Sequence, residues 1–127
     1  MNYQKSVYGL TDHYSIRYKL LDDIRIEYEK ARSFTEKKNQ NQIISEYAEI
    51  DLMVIDEIGI GENLELQKTL IYKLMNERDL KKKTTIICSN FNFKEFSQFC
   101  GRPTMDRFKN TAIFPKTENI KSFRGQK

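Results

Sequence analysis

Four consecutive apolar residues, Leu52-Met53-Val54-Ile55, run straight into Asp56-Glu57. No other feature constrains the fold of this chain as much. An unbroken apolar run of strand length, unlike an alternating one, suits a strand covered on both faces, as in a parallel sheet. Thr84-Thr85-Ile86-Ile87-Cys88 is a second such run, and it closes in Ser89-Asn90. Parallel neighbours need a long crossover, usually helical. The intervening segment supplies one. After Gly59 and Gly61, a helix from about Glu62 to Arg78 sets Leu66, Leu70, Ile71, Leu74 and Met75 on one side.

The flanking sequence extends the alternation. Ser6 to Leu10 reads as a short strand ending at Thr11-Asp12, good helix N-cap types. A helix is then expected from about Tyr14 to Arg32, with Ile16, Leu20, Leu21, Ile24, Tyr28 and Ala31 on one stripe. Ser33 to Asn41 holds a loop and a helix start that continues through Ile43-Ile44 to about Ala48. Lys81-Lys82-Lys83 reads as a loop, and a short helix from about Phe93 to Phe99 stops at Gly101. Pro103 opens another through Phe108, and Thr111 to Phe114 is a last strand candidate. Strands alternating with helices mean an α/β fold with a mainly parallel sheet.

Composition narrows the class. At 127 residues there is room for one domain, 1–127, with a modest core. A hydrophobic fraction of 39% excludes wholesale disorder, and five glycines and two prolines exclude collagen-like or low-complexity character. No apolar run approaches the ~20 residues that span a bilayer, and no signal-peptide core follows Met1. Cys88 and Cys100 are too few for a disulfide scaffold and lack metal-ligand spacing. The expected setting is a reducing cytoplasm, with no membrane partner. Charge is uneven: residues 1–78 carry 11 Lys/Arg against 14 Asp/Glu, and residues 79–127 carry 11 against 4. The basic half suits nucleic acid or nucleotide phosphates, and equally a plain solvated surface.

In open parallel sheets ligands sit at the carboxyl ends of strands. Asp56-Glu57 and Ser89-Asn90 both emerge there. Asp56 suits Mg²⁺, which wants hard oxygen ligands and keeps several waters. Glu57 suits taking a proton from, or orienting, an attacking water. The amide of Asn90 suits holding that water or a terminal phosphate. Arg107 and Arg124 have the permanent charge and planar donors that stabilise phosphate in a transition state. Taken singly, each of these residues has an ordinary surface or capping role as its alternative.

Order and spacing tie the pieces together. Leu52 to Gly59 (LMVIDEIG), Thr85 to Asn90 (TIICSN), Gly101 to Phe108 (GRPTMDRF) and Ser122 to Arg124 (SFR) resemble the AAA+ ATPases of the DnaC/IstB type. That group holds bacterial and phage helicase loaders and transposition helper ATPases, and the resemblance runs from about Ser6 to Arg124. It implies a Walker B pair in Asp56, for Mg²⁺, and Glu57, for water activation. It also implies a sensor 1 residue in Asn90, an arginine finger acting on a neighbouring subunit's nucleotide in Arg107, and a second sensor in Arg124. The cofactors it implies are ATP and Mg²⁺. The partners it implies are a replicative helicase, single-stranded DNA and other loader subunits or copies of this chain.

One departure is large. A nucleotide site of this kind needs G-x-x-x-x-G-K-[ST], whose backbone amides and lysine hold the β- and γ-phosphates. No glycine here has that spacing or is followed by Lys and Ser or Thr. By the resemblance, Met1 falls just after the helix that follows such a loop. The expected architecture is therefore an incomplete AAA+ three-layer sandwich lacking the first, central strand of the family order 5-1-4-3-2, with an unpaired apolar edge at Ile86-Ile87. The implied function is a DNA-replication ATPase of the helicase-loader type, truncated and inactive alone. The alternatives are a non-catalytic module that joins or inhibits an intact loader, and an IstB-like transposition helper.

Overall fold

The apolar run at 52–56 forms β2 (Leu52–Asp56), the middle strand of a three-stranded parallel sheet in a computed structural model that describes residues 14–33 and 37–108. On one side lies β1 (Ile16–Leu20), with Ile16 level with Leu52 and Leu20 level with Asp56. On the other lies β3 (Thr84–Ile87), with Leu52 level with Thr84 and Ile55 level with Ile87. Five helices complete the described chain: α1 (Leu21–Lys30), α2 (Gln40–Ala48), α3 (Leu64–Leu80), α4 (Phe93–Cys100) and α5 (Arg102–Phe108).

Residue pairing decides what each face carries. Arg17, Met53 and Thr85 share one face with Lys19, Ile55 and Ile87. Met53 and Ile55 are fully buried there in a core with Leu21, Ile24, Leu70, Ile71 and Leu74 from α1 and α3. The opposite face carries Tyr18, Val54 and Ile86 in one row, and Tyr18 and Ile86 are 56% and 47% exposed. The unbroken apolar runs predicted cover on both faces; among the described residues the helices bury one. β3 likewise has one pairing neighbour among the described residues, β2.

One element differs from the sequence expectation. Residues 16–20, read as the start of a helix, are strand β1, and the helix begins at Leu21. Ile16 and Leu20 fit a helical stripe, but Ile16-Arg17-Tyr18-Lys19-Leu20 also alternates apolar and polar, the period of a strand. Pairing along β2 satisfies the backbone here and outweighs the local helical spacing. The other described elements lie where expected, to within a few residues. Asn39 and Asn92 cap α2 and α4 in reciprocal capping boxes with Gln42 and Glu95, and Asn63 caps α3 by accepting from Leu66 N. Gly101, at φ 85, ends α4, a backbone conformation that glycine adopts without strain. The strand candidates Ser6–Leu10 and Thr111–Phe114 lie outside the described residues, as does Arg124.

The amino ends of the strands are tied by polar groups. Arg78, fully buried near the end of α3, donates to Tyr47 O and Ile50 O at 2.7 Å, Thr84 O at 2.6 Å and Thr85 Oγ1 at 2.7 Å. Asp51 accepts from Lys83 Nζ at 2.8 Å and from Ser15 N at 2.9 Å, joining the starts of all three strands. Lys81 pairs with Glu49 at 2.9 Å. Two of the three consecutive lysines are thus engaged by carboxylates of this chain.

Candidate functional site

With the amino ends of the strands tied together, the carboxyl ends are left to present chemistry. Asp56 is the last residue of β2, and Glu57 follows at φ 58, a left-handed conformation that costs a non-glycine residue roughly 1 kcal/mol or more. That conformation ends the strand and turns the chain sharply into the loop before α3. On the neighbouring strand, Cys88 N donates to Ile55 O at 2.9 Å, which extends the pairing one step and sets Ser89 and Asn90 at the same edge. Asp56, Glu57 and Asn90 therefore share one end of the sheet, as the sequence predicted.

The loop after Glu57 is rigidly braced. Gln67, fully buried on α3, accepts from Gly59 N at 2.9 Å and donates to Ile60 O at 2.8 Å and to Asp22 Oδ1 at 3.3 Å. Arg25 grips the same Asp22 through Nε at 2.8 Å and Nη2 at 3.0 Å, which holds the Asp22 carboxyl below the usual aspartate range. Gly59 and Gly61 are needed for space as well as conformation. A Cβ on Gly59 would stand 2.5 Å from Phe91 Cζ, and one on Gly61 would stand 2.3 Å from Asp22 Oδ1.

Both oxygens of Asp56 have neutral donors. Oδ1 accepts from Glu57 N at 2.7 Å, and Oδ2 accepts from the hydroxyl of Tyr18. That hydrogen bond is the main reason the Tyr18 phenol is pushed up to about 12, so it remains a protonated donor at neutral pH. Among the described residues no lysine or arginine forms an ion pair with Asp56, so its charge is oriented but not neutralised. Each oxygen keeps a lone pair for a further ligand. Among the described residues no cluster of three metal-ligating side chains occurs. Mg²⁺ does not require one: it is commonly held by one or two carboxylates, with waters and substrate phosphates completing its shell. The donor set at Asp56 fits it.

Arg107 lies elsewhere. Its guanidinium is 3.8 Å from Asp79 Oδ2, near the end of α3 and hence toward the amino ends of the strands. A helix of 17 residues is about 25 Å long at ~1.5 Å per residue, which separates that end from the loop after Asp56. The structure therefore does not bring Arg107 to Asp56 and Glu57 within one chain. Cys88, the last residue of the second apolar run, is exposed beyond the end of β3 on the face that carries Tyr18. Its thiol is raised above the usual value by desolvation and then by Asp56, so it is not an activated nucleophile.

The family profile described as IstB-like ATP binding protein matches residues 5–114. The chain belongs to the DnaC/IstB-like AAA+ family. The replicative helicase loader DnaC of Escherichia coli (strain K12) is 30% identical over 71 residues, which is 56% of this chain and 29% of that protein. The corresponding loader of Buchnera aphidicola subsp. Baizongia pistaciae is 25% identical over 105 residues, 83% of this chain and 41% of that protein. The matched stretches of this DnaC/IstB-like chain thus cover less than half the length of these curated relatives. Domain III of the Thermotoga maritima replication initiation protein DnaA has a similar fold, with a TM-score of 0.62 at 18% identity. The match covers 89% of this chain and 48% of that one. The fold is therefore of the AAA+ kind, an α/β arrangement on a parallel sheet. Among the described residues no helix is long and apolar enough to cross a membrane.

Sequence reasoning missed Tyr18 and Gln67. Tyr18 was legible only as one position of an alternating segment, because its meeting with Asp56 depends on strand register. Gln67 looked like a polar position on an amphipathic helix, and nothing local marked it as buried.

Proposed function

We propose that this chain carries the carboxylate and sensor part of a helicase-loader-type ATPase site acting in DNA replication, and that another polypeptide segment supplies its phosphate cradle. The observation that carries this reading is that Asp56-Glu57 and the Ser89-Asn90 segment leave neighbouring strands at the same end of the sheet, in a sequence without G-x-x-x-x-G-K-[ST]. In this reading Asp56 holds Mg²⁺, directly or through water. The ion, when bound, supplies charge neutralisation for nucleotide phosphates. Glu57 orients the attacking water and takes its proton. Asn90 hydrogen-bonds that water or the terminal phosphate. Arg124 is assigned to the nucleotide by its place in the motif order. The replicative helicase and single-stranded DNA are the partners of the assembled protein, as the names of the loader relatives suggest for the former.

The distance of Arg107 from the chain's own carboxylates favours a second, compatible reading. Arg107 serves a neighbouring subunit's nucleotide, and the chain joins a ring of intact subunits as a module that supplies this arginine or blocks the ring.

Titration calorimetry of Mg-ATP into the purified chain, with Asp56→Ala as control, tests the divided site. No saturable binding is expected for the chain alone. Saturable binding of the nucleotide, beyond any binding of Mg²⁺ titrated alone, that Asp56→Ala abolishes would overturn the division and mean that the chain cradles the triphosphate itself.

A further inference from the structure

We infer that Tyr18 is a positioning residue for the cation site at Asp56: its hydroxyl fixes the direction of the carboxylate without cancelling its charge. The inference rests on the reading of Asp56 as the cation-holding residue. It concerns a residue that none of the motifs includes.

The geometry follows from the parallel register. Tyr18 is level with Val54, and Leu20 is level with Asp56. Tyr18 and Asp56 therefore project from the same face, two positions apart along neighbouring strands, a diagonal that an aromatic side chain can span. Asp56 Oδ1 is already held by the amide of Glu57, at 2.7 Å. The Tyr18 hydroxyl takes the other oxygen. With a donor on each oxygen the carboxylate plane cannot rotate freely.

The identity of the donors matters as much as their number. Both are neutral. A lysine or arginine at position 18 would hold the carboxylate equally firmly but would compete with a cation for its charge. The basic side chains of β1, Arg17 and Lys19, belong to the opposite face by register, and Lys19 is paired with Glu27 at 2.9 Å. The strand thus presents a neutral donor to Asp56 and keeps its cations on the helix-covered side. Hydrogen-bonded partners of this kind orient metal-ligating carboxylates, and their loss typically lowers metal affinity by about 10- to 100-fold.

The test uses Mn²⁺ alone, titrated into the isotope-labelled full chain, and reads the paramagnetic broadening of the backbone amides of residues 54–58. Three proteins are compared: the native chain, Asp56→Asn and Tyr18→Phe. Tyr18→Phe keeps the ring and removes only the hydroxyl, and an unchanged thermal melt verifies that the sheet is intact. The expected result is broadening that Asp56→Asn abolishes and that Tyr18→Phe shifts to about tenfold higher Mn²⁺. Asp56-dependent broadening with equal or tighter affinity in Tyr18→Phe would overturn the role of Tyr18 and leave the cation reading standing. No Asp56-dependent broadening in the native chain would overturn both.

Discussion

Glu57 occupies a left-handed backbone conformation at the end of β2, where glycine or asparagine is the usual tenant. A glutamate is strained there by roughly 1 kcal/mol or more, and such strain gathers at functional positions. The strain has a geometric use: it stops the strand and throws the chain into the braced loop. Glu57→Gly is accordingly expected to be at least as stable as the native chain, by up to about 1 kcal/mol in urea unfolding. A clear loss of stability would mean that the glutamate side chain contributes packing that outweighs its backbone strain. The sequence displayed the identities of Asp56 and Glu57 plainly; the positive φ and the hydroxyl of Tyr18 on Asp56 emerged only from the folded chain.

At the scale of elements, Arg78 joins α2, α3, β2 and β3 at one point. Its donors satisfy carbonyls at the end of α2, before β2 and at the start of β3, in a place from which water is excluded. Burial lowers the pKa of its guanidinium, yet the group stays charged at any ordinary pH. Replacing it with methionine keeps much of the volume but removes a charged donor from each of these carbonyls, of which Tyr47 O retains a long bond from Ile50 N at 3.4 Å. Each such loss costs about 1–3 kcal/mol, so Arg78→Met is expected to lose about 3 kcal/mol or more in chemical denaturation. A loss under about 1 kcal/mol would show that the carbonyls find other donors. In the sequence Arg78 was simply the polar end of an amphipathic helix; charge argues for exposure until the tertiary contacts are known. The length and apolar face of α3, in contrast, were readable from Leu66, Leu70, Ile71, Leu74 and Met75 alone.

Across the described molecule the two ends of the sheet are built differently. At the amino ends, Asp51 is held by Lys83 and Ser15, which keeps its carboxyl below the ordinary aspartate value of 3.8. The folded state therefore takes up this proton less readily than the unfolded chain. The stabilisation is full above the ordinary value and is lost as pH falls below 3.8, through the lower folded-state value. Asp22 and Glu49, held by Arg25 and Lys81, act in the same direction. Urea unfolding followed down from about pH 6 is expected to show stability falling steeply below about pH 4. Asp51→Asn should be less stable at neutral pH and show a shallower acid slope. An unchanged slope would mean that Asp51 does not contribute to the acid transition. At the carboxyl ends, Asp56 has neutral donors and no described ion pair, so its charge is available to a ligand.

The sequence by itself determined the described elements other than β1, and the candidate chemistry. Hydrophobic runs of strand length, helical stripes and capping residues are local patterns, and local sterics and solvent exclusion act on them directly. The placement of Asp56-Glu57 and Ser89-Asn90 after the apolar runs was local in the same sense. Only the tertiary structure decided that residues 16–20 are a strand, because pairing with β2 outweighed a helical spacing that the same residues also satisfy. It also decided that Arg78 and Gln67 are interior residues, that Arg107 lies toward the other end of α3 from Asp56, and that Tyr18 reaches Asp56. Each of these depends on which segments become neighbours across the fold, and that information is spread over the whole chain.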